Sequence, residues 1–230
     1  MSTTAEFAPY LAPGRFVDSD HPAVVAFARE HTRELSDPCE RAVALYYAVR
    51  DGYRYDPYRI DLSDEGFLAS TVTRVGSGFC VPKATLLAAA CRAAGIPARL
   101  GFADVRNHLT SPRLHRQMGT DVFVYHGYAE LWLARRWVKA TPAFNLSLCE
   151  KAGVLPLEFD GHADSLFHPS DAGGRRHMEY LRDHGTHVDV PVEEIIAAWR
   201  AAYPSSSDWG HAELRDDFER EAVASLPQDS

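Results

Sequence analysis

Cysteine is scarce in this chain and scattered. Cys39, Cys80, Cys91 and Cys149 are the only four in 230 residues, and no two stand at CxxC spacing. That leaves neither the paired spacing of a zinc ribbon nor a disulfide framework, so reduced thiols in a cytoplasmic protein are expected. Positive charge is also short: 24 Lys and Arg against 32 Asp and Glu give a formal net charge of −8. Without a basic surplus, phosphate repulsion goes uncompensated, which argues against nucleic acid and anionic membranes as partners. No apolar run approaches a membrane span, and MSTTAEFAPY lacks the basic start and apolar core of a secretory signal. There is no internal repeat and no phosphate-binding glycine loop.

What is present is an ordinary soluble composition, 46% apolar and 24% charged. A chain of this length can bury a large core, and one domain with extensions is expected. The stretch GSGFCVPKATLLAAACRAAGIPAR, Gly76 to Arg99, organises the reading. Ala84, Leu86, Leu87, Ala88 and Cys91 recur at helical steps, Gly95 is a natural left-handed stop, and Pro97 prevents resumption. Pro82 fits only near a first turn, which sets Cys80 at the helix N-terminus. Unpaired N–H groups and the positive end of the helix dipole favour a thiolate there, so a pKa below the roughly 8.5 of a free thiol is expected.

A thiol nucleophile needs a base. His126 stands in a run from Asp121 to Leu133 rich in β-branched and aromatic residues, with Trp137 to Thr141 as its hairpin partner. A cysteine at a helix start and a histidine on a downstream strand make the arrangement expected for a thiol activated by imidazole. The Cys80 segment, followed by HGYAELWL and RWVKATP, resembles the core of the transglutaminase-like superfamily of papain-like cysteine enzymes, over roughly Arg41 to Phe144. The resemblance implies Cys80 as nucleophile and His126 as base. Where the family carries an aspartate in W-V-x-x-D-P, this chain has Thr141 in Trp137-Val138-Lys139-Ala140-Thr141-Pro142. A hydroxyl can hold the imidazole tautomer but supplies no charge, and losing such a carboxylate costs up to roughly four decades in a serine triad. Asn145 is an alternative orienting group.

Other features have structural and functional readings side by side. Cys39 follows Asp37-Pro38, a marked helix start, but no histidine-bearing strand follows it at the family spacing, so it reads as structural. Ser19 or Asp20 is expected to cap an earlier helix. The tyrosines of Asp51 to Asp61 read as packing rather than as a substrate rim. Asp104, Arg106, Asn107 and His108, at the end of a strand from Ala98 to Val105, either line a cleft for a polar or carboxylate-bearing substrate or, for Asp104 and Arg106, pair with each other. Thr110 to Gly119 reads as a surface loop that borders the site. Glu130 shares a strand face with His126 and reads as a solvated carboxylate, with an orienting role for a basic partner as the alternative. His162, His168, His177, His184 and His187 follow no metal-ligand spacing, and no metal or cofactor is expected. Val192, Ile195, Ile196, Trp199 and Tyr203 mark an amphipathic helix, and the tail carries one more helix around His211 to Val223.

These observations predict an α+β protein with a papain-like, transglutaminase-like core, its nucleophile-bearing helix packed on an antiparallel sheet. Residues 1–36 form an N-terminal arm and helix, 37–146 the core, 147–204 a mainly helical extension packed on the core, and 205–230 a polar tail. The expected function is thiol-dependent hydrolysis or acyl transfer on a peptide, amide or small acyl substrate through Cys80, His126 and Thr141. The rival is a catalytically inactive binding module of the same fold. Nothing in the sequence sets the oligomeric state.

Overall fold

The computed structural model describes residues 3–171, 173–203 and 218–219. Helix α1 (Thr3–Glu6), a 3-10 turn (Ala8–Tyr10), α2 (Pro22–Thr32) and α3 (Pro38–Gly52) lead to the short strand β1 (Arg54–Tyr55). Helices α4 (Asp64–Phe67) and α5 (Ala69–Val75) return the chain to β2 (Ser77–Gly78), which pairs in parallel with β1 just ahead of α6 (Cys80–Ala93). β3 (Ala98–Asn107), α7 (Pro112–Met118), β4 (Val122–Leu133) and β5 (Arg136–Ala140) follow, then α8 (Leu146–Ala152), β6 (Met178–His187) and α9 (Val192–Ala202). The main sheet runs β5-β4-β3-β6 with every pair antiparallel. The fold is α+β, with the cysteine helix against the sheet.

Local chemistry accounts for the element ends. The Asp37 carboxylate accepts from Cys39 N–H at 2.8 Å and Glu40 N–H at 3.0 Å, capping α3 ahead of Pro38. α2 is capped not by Ser19 or Asp20 but by His21, whose Nδ1 accepts from Ala23 N–H at 3.2 Å. α6 ends as expected, with Gly95 at φ +77°.

α6 carries no solvated stripe: every residue from Cys80 to Arg92 is buried. A helix enclosed on all sides must satisfy its polar side chains internally. Lys83 Nζ donates to the carbonyls of Arg50 at 2.9 Å and Tyr53 at 2.5 Å, closing the end of α3. Arg92 donates to the carbonyls of Ala98 at 3.0 Å and Ala12 at 2.8 Å, and also to that of Val188. One guanidinium thereby joins the N-terminal arm, the start of β3 and the approach to α9.

The arm itself lies across the sheet edge. The Phe7 ring sits 4.7 Å from that of Trp132, and Tyr10 lies 5.0 Å from Trp137. Residues 178–187, MEYLRDHGTH, show no apolar alternation, yet they pair along β3 as strand β6 with mostly exposed side chains. The region beyond Asn145 therefore contributes a strand as well as helices. The tail helix expected around His211 to Val223 lies outside the described residues except for Phe218 and Glu219.

Gly127 sets how closely the histidine strand meets the cysteine helix. A Cβ there would stand 3.1 Å from Val81 Cα, a backbone atom that cannot turn aside. Gly127→Ala is expected to cost about 1–3 kcal/mol through overpacking, read as a lower urea midpoint at unchanged slope.

Candidate active site

Phe79 is the N-cap of α6 and Cys80 its first residue, so the sulfur stands at the helix head, as the spacing to Pro82 predicts. The backbone N–H groups of Gly127, Val81 and Cys80 itself point at it. Cys80 and His126 both line a cavity of about 40 Å³, together with Tyr55, Phe79, Phe123 and Trp199 among others. That volume admits water but no substrate. Its far walls come from Leu114 and Met118 of α7 and from Trp199 and Tyr203 at the end of α9. No hydrogen bond joins the pair: neither nitrogen of His126 has a partner among the described residues. The imidazole instead meets the Phe167 ring edge-on at 4.9 Å.

Burial dominates the electrostatics. It pushes the Cys80 thiol up to about 11, against the N–H groups of Gly127, Val81 and Cys80, which favour the thiolate. The lowered pKa expected from the helix dipole is thus overturned by desolvation. Burial likewise drives His126 down to about 3. The closed site holds a neutral thiol beside a neutral imidazole.

Thr141 follows β5 and does not line the cavity. Ala129 pairs with Ala140, so strand alternation sets Thr141 on the sheet face opposite Ala129 and Gly127, the face of His126 and Tyr128. Diagonal neighbours on adjacent strands lie within reach of a long side chain. The Thr141 hydroxyl is buried and has no hydrogen-bond partner among the described residues. The inward-turned Tyr180 hydroxyl is close enough for Thr141 to favour its ionised form slightly, but the two fall short of hydrogen-bonding geometry, and Tyr180 Oη accepts from Phe167 N–H at 3.3 Å instead. Two ring nitrogens of His126 and one hydroxyl of Thr141 are therefore without hydrogen-bond partners among the described residues. Asn145 is engaged elsewhere: its Oδ1 accepts from Tyr55 N–H at 2.9 Å, and its Nδ2 donates to Ser147 Oγ at 2.8 Å and Glu219 Oε1 at 2.7 Å. It makes no hydrogen bond to His126.

The remaining candidates separate cleanly. Glu130 is buried rather than solvated and takes Arg99 in contacts of 2.6 and 2.7 Å, with the guanidinium 4.1 Å from the Trp137 ring centre. Asp104 and Arg106 do not pair: Asp104 accepts from His184 at 2.7 Å, while Arg106 meets Asp121 and Glu179. Tyr55 is buried, as the packing reading expects, yet it also lines the site. Cys39 Sγ lies 3.9 Å from His162 Nε2, but burial and then Asp37, Asp160 and Glu40 raise its pKa. Among the described residues no three His, Cys, Asp or Glu side chains gather as a metal site. Nor is any helix there long and apolar enough to cross a membrane.

A larger cavity of about 300 Å³ adjoins the small one and shares Tyr55, Leu114 and Phe123 with it. Phe144, Leu148 and Val154 extend its apolar wall, and Asn107 and His177 supply polar groups. Burial lowers His177 to about 4. Arg175 also reaches this cavity, but its charge is taken by Asp171 at 2.7 Å. Asn107 and His108 at the strand end and the segment from Thr110 to Leu114, read from the sequence as cleft-lining and site-bordering, are part of its wall, while Phe144 to Val154 and His177 carried no such signal.

The buried histidines fix an acid response. His126 takes a proton in the unfolded chain below about 6.5 but in the folded protein only near 3, so the unfolded state binds more protons in between. Stability is expected to be full above about 6.5 and to fall as pH drops toward 3. His126→Gln, neutral throughout, should flatten that acid limb in urea titrations, leaving the smaller slope from His177.

The family model for the transglutaminase-like superfamily matches residues 25–142. No curated protein matches the chain. Among solved structures, a candidate cysteine protease from Cytophaga hutchinsonii is similar at 16% identity and a TM-score of 0.48, over 81% of this chain and 55% of its own. A candidate protease from Parabacteroides distasonis is similar at 18% identity and a TM-score of 0.38, over 58% of this chain and 26% of its own. The chain thus spans about half the length of the first and a quarter of the second. The family match takes in just over half of the chain and contains Cys80, His126 and Thr141. The chain belongs to the transglutaminase-like superfamily.

Proposed function

We propose that the protein is a cysteine hydrolase or acyltransferase acting on an amide or ester. The observation that carries this reading is the meeting of Cys80 and His126 on one cavity at the head of a buried helix. Membership of the superfamily supports thiol-dependent acyl chemistry in general. Cys80 attacks the carbonyl carbon as its proton passes to His126, and the Cys80 N–H at the helix head receives the oxyanion. The C–N bond then breaks as His126 returns the proton to the leaving amine, leaving a thioester. Water releases the acid in a hydrolase; an amine takes the acyl group in a transferase.

A neutral imidazole is the form that can accept the thiol proton. In the substrate-bound site Thr141 Oγ, unpartnered in the structure, accepts from a ring N–H of His126 and holds the ring without charging it. The walls from α7 and α9 move aside to admit substrate. The adjoining 300 Å³ cavity takes the acyl-side group, and its apolar wall with neutral His177 favours a large apolar residue there.

Peptide amides carrying Phe, Leu, Asp or Lys beside the scissile carbonyl, analysed by intact-mass and peptide mass spectrometry, test the reading. An acyl adduct on Cys80 is expected with Phe or Leu, absent in Cys80→Ala and at least about a hundredfold slower in His126→Ala. A non-catalytic module is the second reading, favoured by Thr141 in the aspartate position and by the closed cavity. It predicts no adduct on Cys80 with any donor. Thr141→Asp is expected to raise the pKa of His126, since a nearby anion favours imidazolium. An unchanged NMR titration would show that position 141 does not face the ring.

A further inference from the structure

His126 does not stand on a regular strand. β3 and β4 pair Ala103 with His126 and Val105 with Phe123, so Val124 and Tyr125 together face Asp104. That is a β-bulge, one residue too many on the strand that carries the histidine. Tyr125 absorbs it with a φ of +56°, a left-handed conformation that bulky side chains avoid. Such backbone persists only where its surroundings hold it.

The holding groups are on the page. The Tyr125 N–H, freed from the ladder, donates to Asp104 Oδ1 at 3.1 Å. His184 Nε2–H donates to the same oxygen at 2.7 Å, and its ring stacks on Tyr125 at 3.9 Å and 18°. Asp104 and the His184 side chain are both largely removed from water, at 16% and 8% exposure. On the other flank, Val124 N–H donates to Tyr203 Oη at 2.6 Å, and the Val124 carbonyl accepts from Trp199 Nε1 at 2.8 Å. The bulge has a direct consequence for the site. Phe123, Val124 and His126 all line the Cys80 cavity, which side chains alternating along a regular strand could not do.

We infer that Asp104 and His184 are positioning residues for the reaction at Cys80: by pinning Tyr125 in the left-handed bulge they aim His126 into the cavity. This rests on the Cys80–His126 chemistry proposed above. Neither residue lines the small cavity or its larger neighbour, so both act through the backbone of β4.

The test is a cycle in the full chain between Asp104→Ala and Tyr125→Gly, with Asp104→Asn as the conservative variant. Asp104→Ala is expected to lower kcat about ten- to a hundredfold at nearly constant KM. It should also shift the His126 ring signals in a ¹H–¹³C spectrum and speed exchange of the Tyr125 amide. Asp104→Asn keeps an acceptor and should recover most of the loss. Glycine takes positive φ without penalty, so on top of Tyr125→Gly the Asp104→Ala loss should shrink to less than about threefold. If Asp104→Ala alone does not fold, adding Tyr125→Gly should restore folding. Equal losses with and without Tyr125→Gly, unmoved His126 signals, or no restored folding would overturn the inference and leave the Cys80 chemistry standing. A wild type that forms no adduct on Cys80 overturns that chemistry instead, and the His126 signals and Tyr125 amide still decide the positioning.

Discussion

Helix α6 has water on no side, and this enclosure sets the terms for the rest of the molecule. An apolar helix with one buried face would need a single partner surface; α6 needs the sheet on one side and α2, α3 and α5 on the other. Its polar residues turn that demand into specific ties. Lys83 closes the end of α3, the Thr85 hydroxyl returns to Val81 at 2.9 Å, and Arg92 gathers three separate chain segments at its far end. Buried donors of this kind cost little when paired and much when stranded. The path of the N-terminal arm and the entry to α9 follow from the carbonyls that Arg92 requires.

The same enclosure shapes the chemistry. A helix head favours a thiolate by a modest amount, whereas taking a thiolate out of water costs more. At Cys80 the second effect wins, and at His126 it removes the charged form as well. Both groups are neutral beside Leu114 and Met118 of α7 and the aromatic side chains of Trp199 and Tyr203 at the end of α9.

At His126 two departures from regularity meet. The strand carries an extra residue held by Asp104 and His184, and the residue that follows β5 across the hairpin, Thr141, has a neutral hydroxyl. Both bear on how the imidazole is held.

The periodicity from Ala84 to Cys91, the stop at Gly95, the cap at Asp37 and the hairpin carrying His126 and Trp137 were legible because each rests on local rules of spacing and backbone angle. So was the joining of Cys80 and His126 in one site, through the resemblance their motifs carry. Strand β6 was not legible, since it is made by pairing along β3 and not by its own side chains. The engagement of Asn145, the burial of Glu130 with Arg99 and the bulge at Tyr125 depend on partners 31 residues or more away in the first two cases and on strand register in the third. The sequence by itself determined which residues could react. The tertiary structure decided their protonation and their access, because desolvation depends on every element that closes around a group and no local pattern contains it.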